Sequence, residues 1–364
     1  MMKYRFFGSG FAVVALALAG CGSSSSTGLS ADAACTKLAD ARCERVGTCN
    51  ADGIQVRYGD LATCQSAQKA ACMNSLAASS TGATPTTTSA CADALPAVDC
   101  TDYNNNLLPV ACQPVAGKLA AGAACAFSAQ CQSRFCGIDK NASCGVCQPE
   151  PQVNDSCASL DSCGPGLTCV AKGTVCASED AKTGDACDAD TPCGAGFSCV
   201  GAKAATTAAA AVQGACQPAV ATTGAACDSK KKTGPGCDPA KGLACDPTSM
   251  LCIAAVVASA GQACDGDLTV CAAAASCVIP TGATMGTCVA AAADGAACDT
   301  ANGPSCLTLS RCIVTGTGTS GTCELAIDKC SAGAATSAGG AGAVSSGAAG
   351  ASAGGTGGSG IAPL

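Results

Sequence analysis

The chain has 364 residues, with 35 Cys, 45 Gly, 15 Pro, no His, no Trp and a formal net charge of −7. Cysteine at this density in a Gly-rich chain marks a disulfide scaffold outside the reducing cytoplasm, and the lack of His excludes every His-dependent triad, dyad or zinc site. Tyr4, Phe6, Phe7 and Phe11 crowd the N-terminus and leave only Tyr58, Tyr103, Phe127, Phe135 and Phe197 beyond it, so one large packed core is not expected.

Residues 1–20 read as a signal peptide, with basic Lys3 and Arg5, an apolar run from Phe11 to Leu18, and small residues before Cys21. The run is too short to span a bilayer. Leu18-Ala19-Gly20-Cys21 resembles the lipobox of bacterial lipoproteins. That resemblance implies that Cys21 is lipidated and becomes the mature N-terminus, a stable anchor because each buried methylene contributes about 0.8 kcal/mol. Setting Cys21 aside leaves an even number of cysteines, fit for full pairing. Gly22, where an Asp would favour inner-membrane retention, points to outer-membrane sorting. Residues 21–30, with Ser23 to Ser26, form a flexible tether. Losing Lys3 and Arg5 makes the mature chain more acidic still. Nucleic acid is therefore not an expected partner, and Lys230-Lys231-Lys232 reads as a solvated loop.

Residues 31–115 are rich in Ala, Leu, Lys and Gln and read as helical. Ser30 or Asp32 can cap a helix running to Gly47, with Cys35, Leu38, Cys43 and Val46 on one side. Asp60 can cap a second, with Leu61, Cys64, Cys72 and Leu76. Cysteines at i and i+8 on both lie about 12 Å apart along each axis, so two antiparallel helices can be stapled as Cys35–Cys72 and Cys43–Cys64. Cys49, Cys91, Cys100 and Cys112 would complete this segment around a shorter helix near Ser89 to Leu95 and the turn Asn104-Asn105-Asn106. Their connectivity is open.

Residues 116–330 contain an internal repeat. Six tetrads, Gly122-Ala123-Ala124-Cys125, Asn154-Asp155-Ser156-Cys157, Gly184-Asp185-Ala186-Cys187, Gly224-Ala225-Ala226-Cys227, Gly261-Gln262-Ala263-Cys264 and Gly295-Ala296-Ala297-Cys298, each open a module. Gly, or Asn in its place, predicts a left-handed backbone at every start, and the Ala or Ser before each Cys suggests a crowded site. Three more cysteines follow in each module: Cys131, Cys136 and Cys147; Cys163, Cys169 and Cys176; Cys193, Cys199 and Cys216; Cys237, Cys245 and Cys252; Cys271, Cys277 and Cys288; Cys306, Cys312 and Cys323. Gly also recurs three residues before the third Cys (Gly166, Gly196, Gly242) and two before the fourth (Gly145, Gly214, Gly286, Gly321). Four cysteines allow two bridges per module, each worth about 3 kcal/mol for a loop of about 15 residues. Small turns and hairpins around the bridges are expected. Cys144 and Cys330 are left over, with local, interchain or cross-array pairing open and the cross-array choice disfavoured.

Gly-x-x-Cys, Cys, Gly-x-x-Cys and Gly-x-Cys in succession resemble the cysteine-rich modules grouped with the Dickkopf N-terminal domain. Strings of them after a lipobox and a helical Cys segment resemble the cysteine-rich lipoproteins of myxobacteria. The resemblance covers residues 21–330 and implies extracellular display and protein-interaction modules as a class; animal Dickkopf domains have more cysteines per domain, and no binding residue carries over. Residues 331–364, almost wholly Gly, Ala, Ser, Thr and Val, read as a disordered tail.

Little catalytic chemistry is offered. Scattered acids read as solvating, and Cys144-Gly145-Val146-Cys147 lacks the βαβ surroundings of a redox motif. Asp188-Ala189-Asp190 and Asp265-Gly266-Asp267 supply too few oxygens for calcium, and the missing Trp weakens a carbohydrate platform. The expectation is a small disulfide-rich fold without cofactor: a non-enzymatic outer-membrane lipoprotein, facing the periplasm or the medium, whose modules project as a binding or structural stalk toward an unknown protein partner. A disulfide-braced protease inhibitor and a metal or thiol buffer are the alternatives.

Overall fold

A computed structural model describes residues 28–140, 142–160, 162–170, 175–178, 181–188, 192–203, 212–327 and 330. The signal peptide, Cys21 and the tail from 331 lie outside the described residues. Within them the chain is small and disulfide-rich: short N-terminal helices are followed by small, mostly antiparallel sheets, all held by 17 disulfides.

The helical segment comprises α1 (Ala31–Cys49), α2 (Gly53–Tyr58), α3 (Leu61–Ala77), α4 (Pro85–Ala94) and α5 (Cys100–Asn104). Ser30, not Asp32, caps α1, its Oγ accepting from the Ala33 N–H at 3.1 Å. Asp32 instead meets Lys69 at 2.6 Å. The helix runs past Gly47 to Cys49, because the Asn50 N–H still reaches the Val46 carbonyl. Asp60 caps α3 through the Thr63 N–H at 2.8 Å, an arrangement that holds the Asp60 carboxyl below its ordinary pKa. Leu61 on that helix is exposed, contrary to its expected inward place. The shorter helix starts earlier than its cysteine suggests, since Thr84 and Thr87 form a capping box and Pro85 opens the first turn. Cys35–Cys72 and Cys43–Cys64 staple α1 to α3, with Cα–Cα distances of 5.6 and 6.0 Å. Cys49–Cys100 and Cys91–Cys112 fix α5 and the residues after α4. Leu38 and Leu95 fill the space between them.

Each module repeats one frame. The first cysteine joins the third and the second joins the fourth, from Cys125–Cys136 and Cys131–Cys147 through Cys298–Cys312 and Cys306–Cys323. The strands carrying the third and fourth cysteines pair antiparallel, with these two residues directly opposite in all six modules. In four modules the first-cysteine strand adds to the other edge, so the fourth-cysteine strand lies central.

At the module start the residue three before the first cysteine has positive φ in every case: Gly122, Asn154, Gly184, Gly224, Gly261 and Gly295. Its N–H donates to the fourth-cysteine carbonyl at 2.7–2.8 Å, and the fourth-cysteine N–H donates back to the next residue's carbonyl. Open space surrounds a Cβ built at Gly122, Gly184, Gly224, Gly261 and Gly295, so backbone conformation rather than room selects glycine there. The opposite reason holds at Gly145, Gly214, Gly286 and Gly321 on the central strand, where a Cβ would come within 2.2–2.3 Å of the neighbouring strand's carbonyl. The small residue before the first cysteine is not crowded: Ser156, Ala186, Ala226, Ala263 and Ala297 are exposed and Ala124 is partly so.

The array does not project as a stalk. The turn between second and third cysteines folds back on the helical segment in five modules. Leu107 meets Gly166; the Ala195 N–H donates to Asn105 Oδ1 at 2.6 Å; the Ala51 N–H donates to the Ala240 carbonyl. The Ala273 and Ala274 N–H groups donate to the Gln55 and Val56 carbonyls, and Thr308 Oγ1 donates to the Arg57 carbonyl at 2.6 Å, across 251 residues of chain. Module one docks instead through Ala129 and Gln130 onto Gly82 and Ser79. Successive modules also touch, as in Lys140 to Ser159, Gly201 to Lys231 and Ser305 to Ala274. Cys144 pairs with Cys330 over 186 residues, tying the array's end to its beginning. This is the cross-array pairing that the sequence disfavours. The reason is physical: once the modules wrap a hub, their two ends are neighbours, and sequence separation no longer measures distance.

Candidate functional site

The geometry gives each module two sides. The docked turn faces the helical hub, whereas in modules four to six the hairpin between third and fourth cysteines points to solvent, with residues 247–250, 279–285 and 315–320 wholly exposed; in module one that hairpin instead meets Ser159 and carries the bridged Cys144. These exposed tips differ in sequence while the frame beneath them repeats. Exposed apolar side chains also gather in the fourth module and its exit, at Met250, Leu251, Ile253 and Val256.

A carboxylate missed in the sequence reading organises several loops. The residue after the first cysteine is Asp in four modules, at Asp188, Asp228, Asp265 and Asp299. Asp228 accepts the Lys230, Lys232 and Thr233 N–H groups, and these bonds, led by the Thr233 N–H, hold its carboxyl down at about 2. Lys230-Lys231-Lys232 is thus the loop wound round that carboxylate. Asp265 Oδ1 takes the Asp267, Leu268 and Thr269 N–H groups at 2.8–3.0 Å, which commits this oxygen to its own turn. Asp299 is held likewise below its ordinary pKa, first by the Asn302 and Ala301 N–H groups. The signal was a recurring Cys-Asp step, visible once the modules are aligned. Of Asp188-Ala189-Asp190, the last two lie outside the described residues.

Sulfurs of three cysteines gather within 4.8 Å in the modules, for example Cys125, Cys131 and Cys147. The crossed bridges account for this, since each of these sulfurs is already bonded to another. Cys144-Gly145-Val146-Cys147 is split between two bridges, Cys144 to Cys330 and Cys147 to Cys131.

Inside the hub, Arg42 Nη1 donates to Gln68 Oε1 at 3.2 Å and Gln68 Nε2 donates to Tyr58 Oη at 2.8 Å. Burial lowers the Arg42 pKa and raises those of Tyr58 and Tyr103. Arg45 lies 5.9 Å over the Tyr103 ring and donates to the Val98 carbonyl and the Cys49 sulfur. These polar side chains brace α1 against α3, α5 and the Val98 loop, beneath the docked modules. No helix among the described residues is long and apolar enough to cross a membrane. Comparison with protein-family models, curated proteins and solved structures finds no match to the chain.

Proposed function

We propose that the protein is a non-enzymatic lipoprotein of the outer membrane, anchored through acyl chains on Cys21 and displaying its six modules for protein interaction. The observation that carries this reading is the repeated frame, with the same bridges and turn bonds in every module and, in modules four to six, solvent-facing hairpins of unlike sequence above them. Such an arrangement separates a stabilising part from a variable part, as protein-binding scaffolds do. Disulfide density suits an oxidising envelope compartment. The reading also agrees with the lipobox and with the resemblance to cysteine-rich bacterial lipoproteins. Wrapped modules favour a compact display head on the Ser-rich tether over a stalk.

The test has two arms in the native envelope. The mature chain is expected to fractionate with membranes and to release into the soluble fraction on Cys21→Ser. Photo-crosslinkers placed at the tips, at Thr281 or Thr317, are expected to capture a distinct protein that crosslinkers at the docked Thr308 do not. Soluble behaviour of the unaltered chain removes the anchor, and equal labelling from tips and docked face removes the display reading. Inhibition of a protease by the purified chain would turn the same tips into the braced loops of an inhibitor.

A further inference from the structure

We propose that the Cys144–Cys330 bridge is a redox latch: a dithiol reductant cleaves it selectively, releasing the end of the array from module one while the modules stay intact. Three observations carry this inference. First, it alone among the 17 bridges lies outside both the helical pairs and the module pairs, spanning 186 residues where the next longest spans 51. Second, every other bridge has at least one buried cysteine, whereas Cys144 and Cys330 are both only half-buried. A thiolate must reach a sulfur along the S–S axis, so accessibility sets which bridge is attacked first.

Third, what Cys330 holds shut is local and thin. Cys330 and Ala326 pack on Ala78, Ala126 and Phe127. Asn74 Nδ2 donates to the Ala326 carbonyl at 3.1 Å, and Cys330 closes one side of a cavity of about 190 Å³ lined by Ser79, Leu119, Gly122 and Gln130. Among the described residues, removing the bond leaves this closure to the Asn74–Ala326 hydrogen bond and a small apolar patch, while the frame of modules one and six keeps its own two bridges each.

The chemistry balances with a dithiol, such as an oxidoreductase with paired cysteines or dithiothreitol as probe. One thiolate attacks a sulfur of the bridge and forms a mixed disulfide. The other cysteine leaves as a thiolate and takes a proton. The second thiol of the reductant then displaces the remaining cysteine, so the protein gains two electrons and two protons and the dithiol becomes a disulfide.

The experiment uses the full chain with graded dithiothreitol, alkylation at intervals, and peptide mass spectrometry. Cys144 and Cys330 are expected to take label at least about tenfold faster than any other cysteine. Labelling of any module pair first, or of all pairs at one rate, overturns the latch. Hydrogen exchange of the Cys144→Ser/Cys330→Ser variant is the second readout. Faster exchange is expected at Ala126 and Phe127, whose N–H groups donate to Gln130 Oε1, and at Lys118, which donates to the Ser80 carbonyl, with the Gly261 and Gly295 amides unchanged; no change at the first group overturns the proposal, as does loss of protection at the second.

Discussion

In the helical segment the bridges join elements that have other reasons to form. Ser30, Asp60, Thr84 and Asp99 cap their helices, and Leu38, Val46 and Leu95 fill the interior. In the modules the buried residues are largely the cysteines themselves, as in the cluster of Ala258, Cys264, Cys271 and Cys288. Sulfur is there both crosslink and core. The difference teaches that a similar bridge has unequal local consequences: in the hub it adds to a packed structure, and in a module it is the packing. The hub also gives the modules what they lack singly, a surface on which to fold back.

The sharpest way to break this contrast is to remove one bridge from each region. Both Cys264→Ala/Cys277→Ala, across 13 residues, and Cys43→Ala/Cys64→Ala, across 21, should cost about 3 kcal/mol by loop entropy. The module variant should also lose exchange protection throughout residues 261–289, whereas the hub variant should keep α1 and α3 protected. Equal local melting in both would contradict the account. Next in size, Gly286→Ala should cost about 2–3 kcal/mol by pushing a methyl into the Val278 carbonyl. Gly261→Ala, which meets only its φ of +85°, should cost about 1–2 kcal/mol. Thermal melts of the full chain rank them.

Smaller again is a gain. Ala274 holds φ +57° at the docked turn where other modules place Gly166, Gly196 and Gly242, so Ala274→Gly should stabilise by up to about 1 kcal/mol, read as a raised Tm. The smallest effect concerns pH. A carboxyl whose folded pKa lies below its unfolded value stabilises fully above that unfolded value and loses its contribution as pH falls through the folded one. For Asp228 that window runs from 3.8 down to about 2. The Lys232 and Thr233 amide NMR signals should titrate with a midpoint near the lower value, and Asp228→Asn should abolish the titration.

The class of fold was legible because it rests on counts and spacing. Cysteine density, the shift from Ala/Leu-rich to Gly-rich sequence, and the six Gly/Asn-led tetrads all report local constraints, and positive φ at each tetrad is local too. The positions of cysteines on α1 and α3 were readable for the same reason, since helical rise converts spacing into distance. Other features needed the tertiary arrangement. Helix α2 has only 6 residues between Asp52 and Gly59, under two turns, with no periodic signal of its own. The docking of Thr308 on Arg57 and of Ala273 on Gln55 uses backbone carbonyls, which every residue carries and no motif records. Cys330 finds Cys144 only because the array closes. The docked turns are covered by the hub, so which side of a module faces solvent was not readable from spacing within it.

The most direct test of the closed, hub-docked array is a disulfide map of the unreduced full chain by proteolysis and mass spectrometry. The account predicts first-to-third and second-to-fourth bridges in all six modules and a peptide pair joining Cys144 to Cys330. A Cys330 bonded to its own copy in another chain, or a module paired first-to-second, would contradict it.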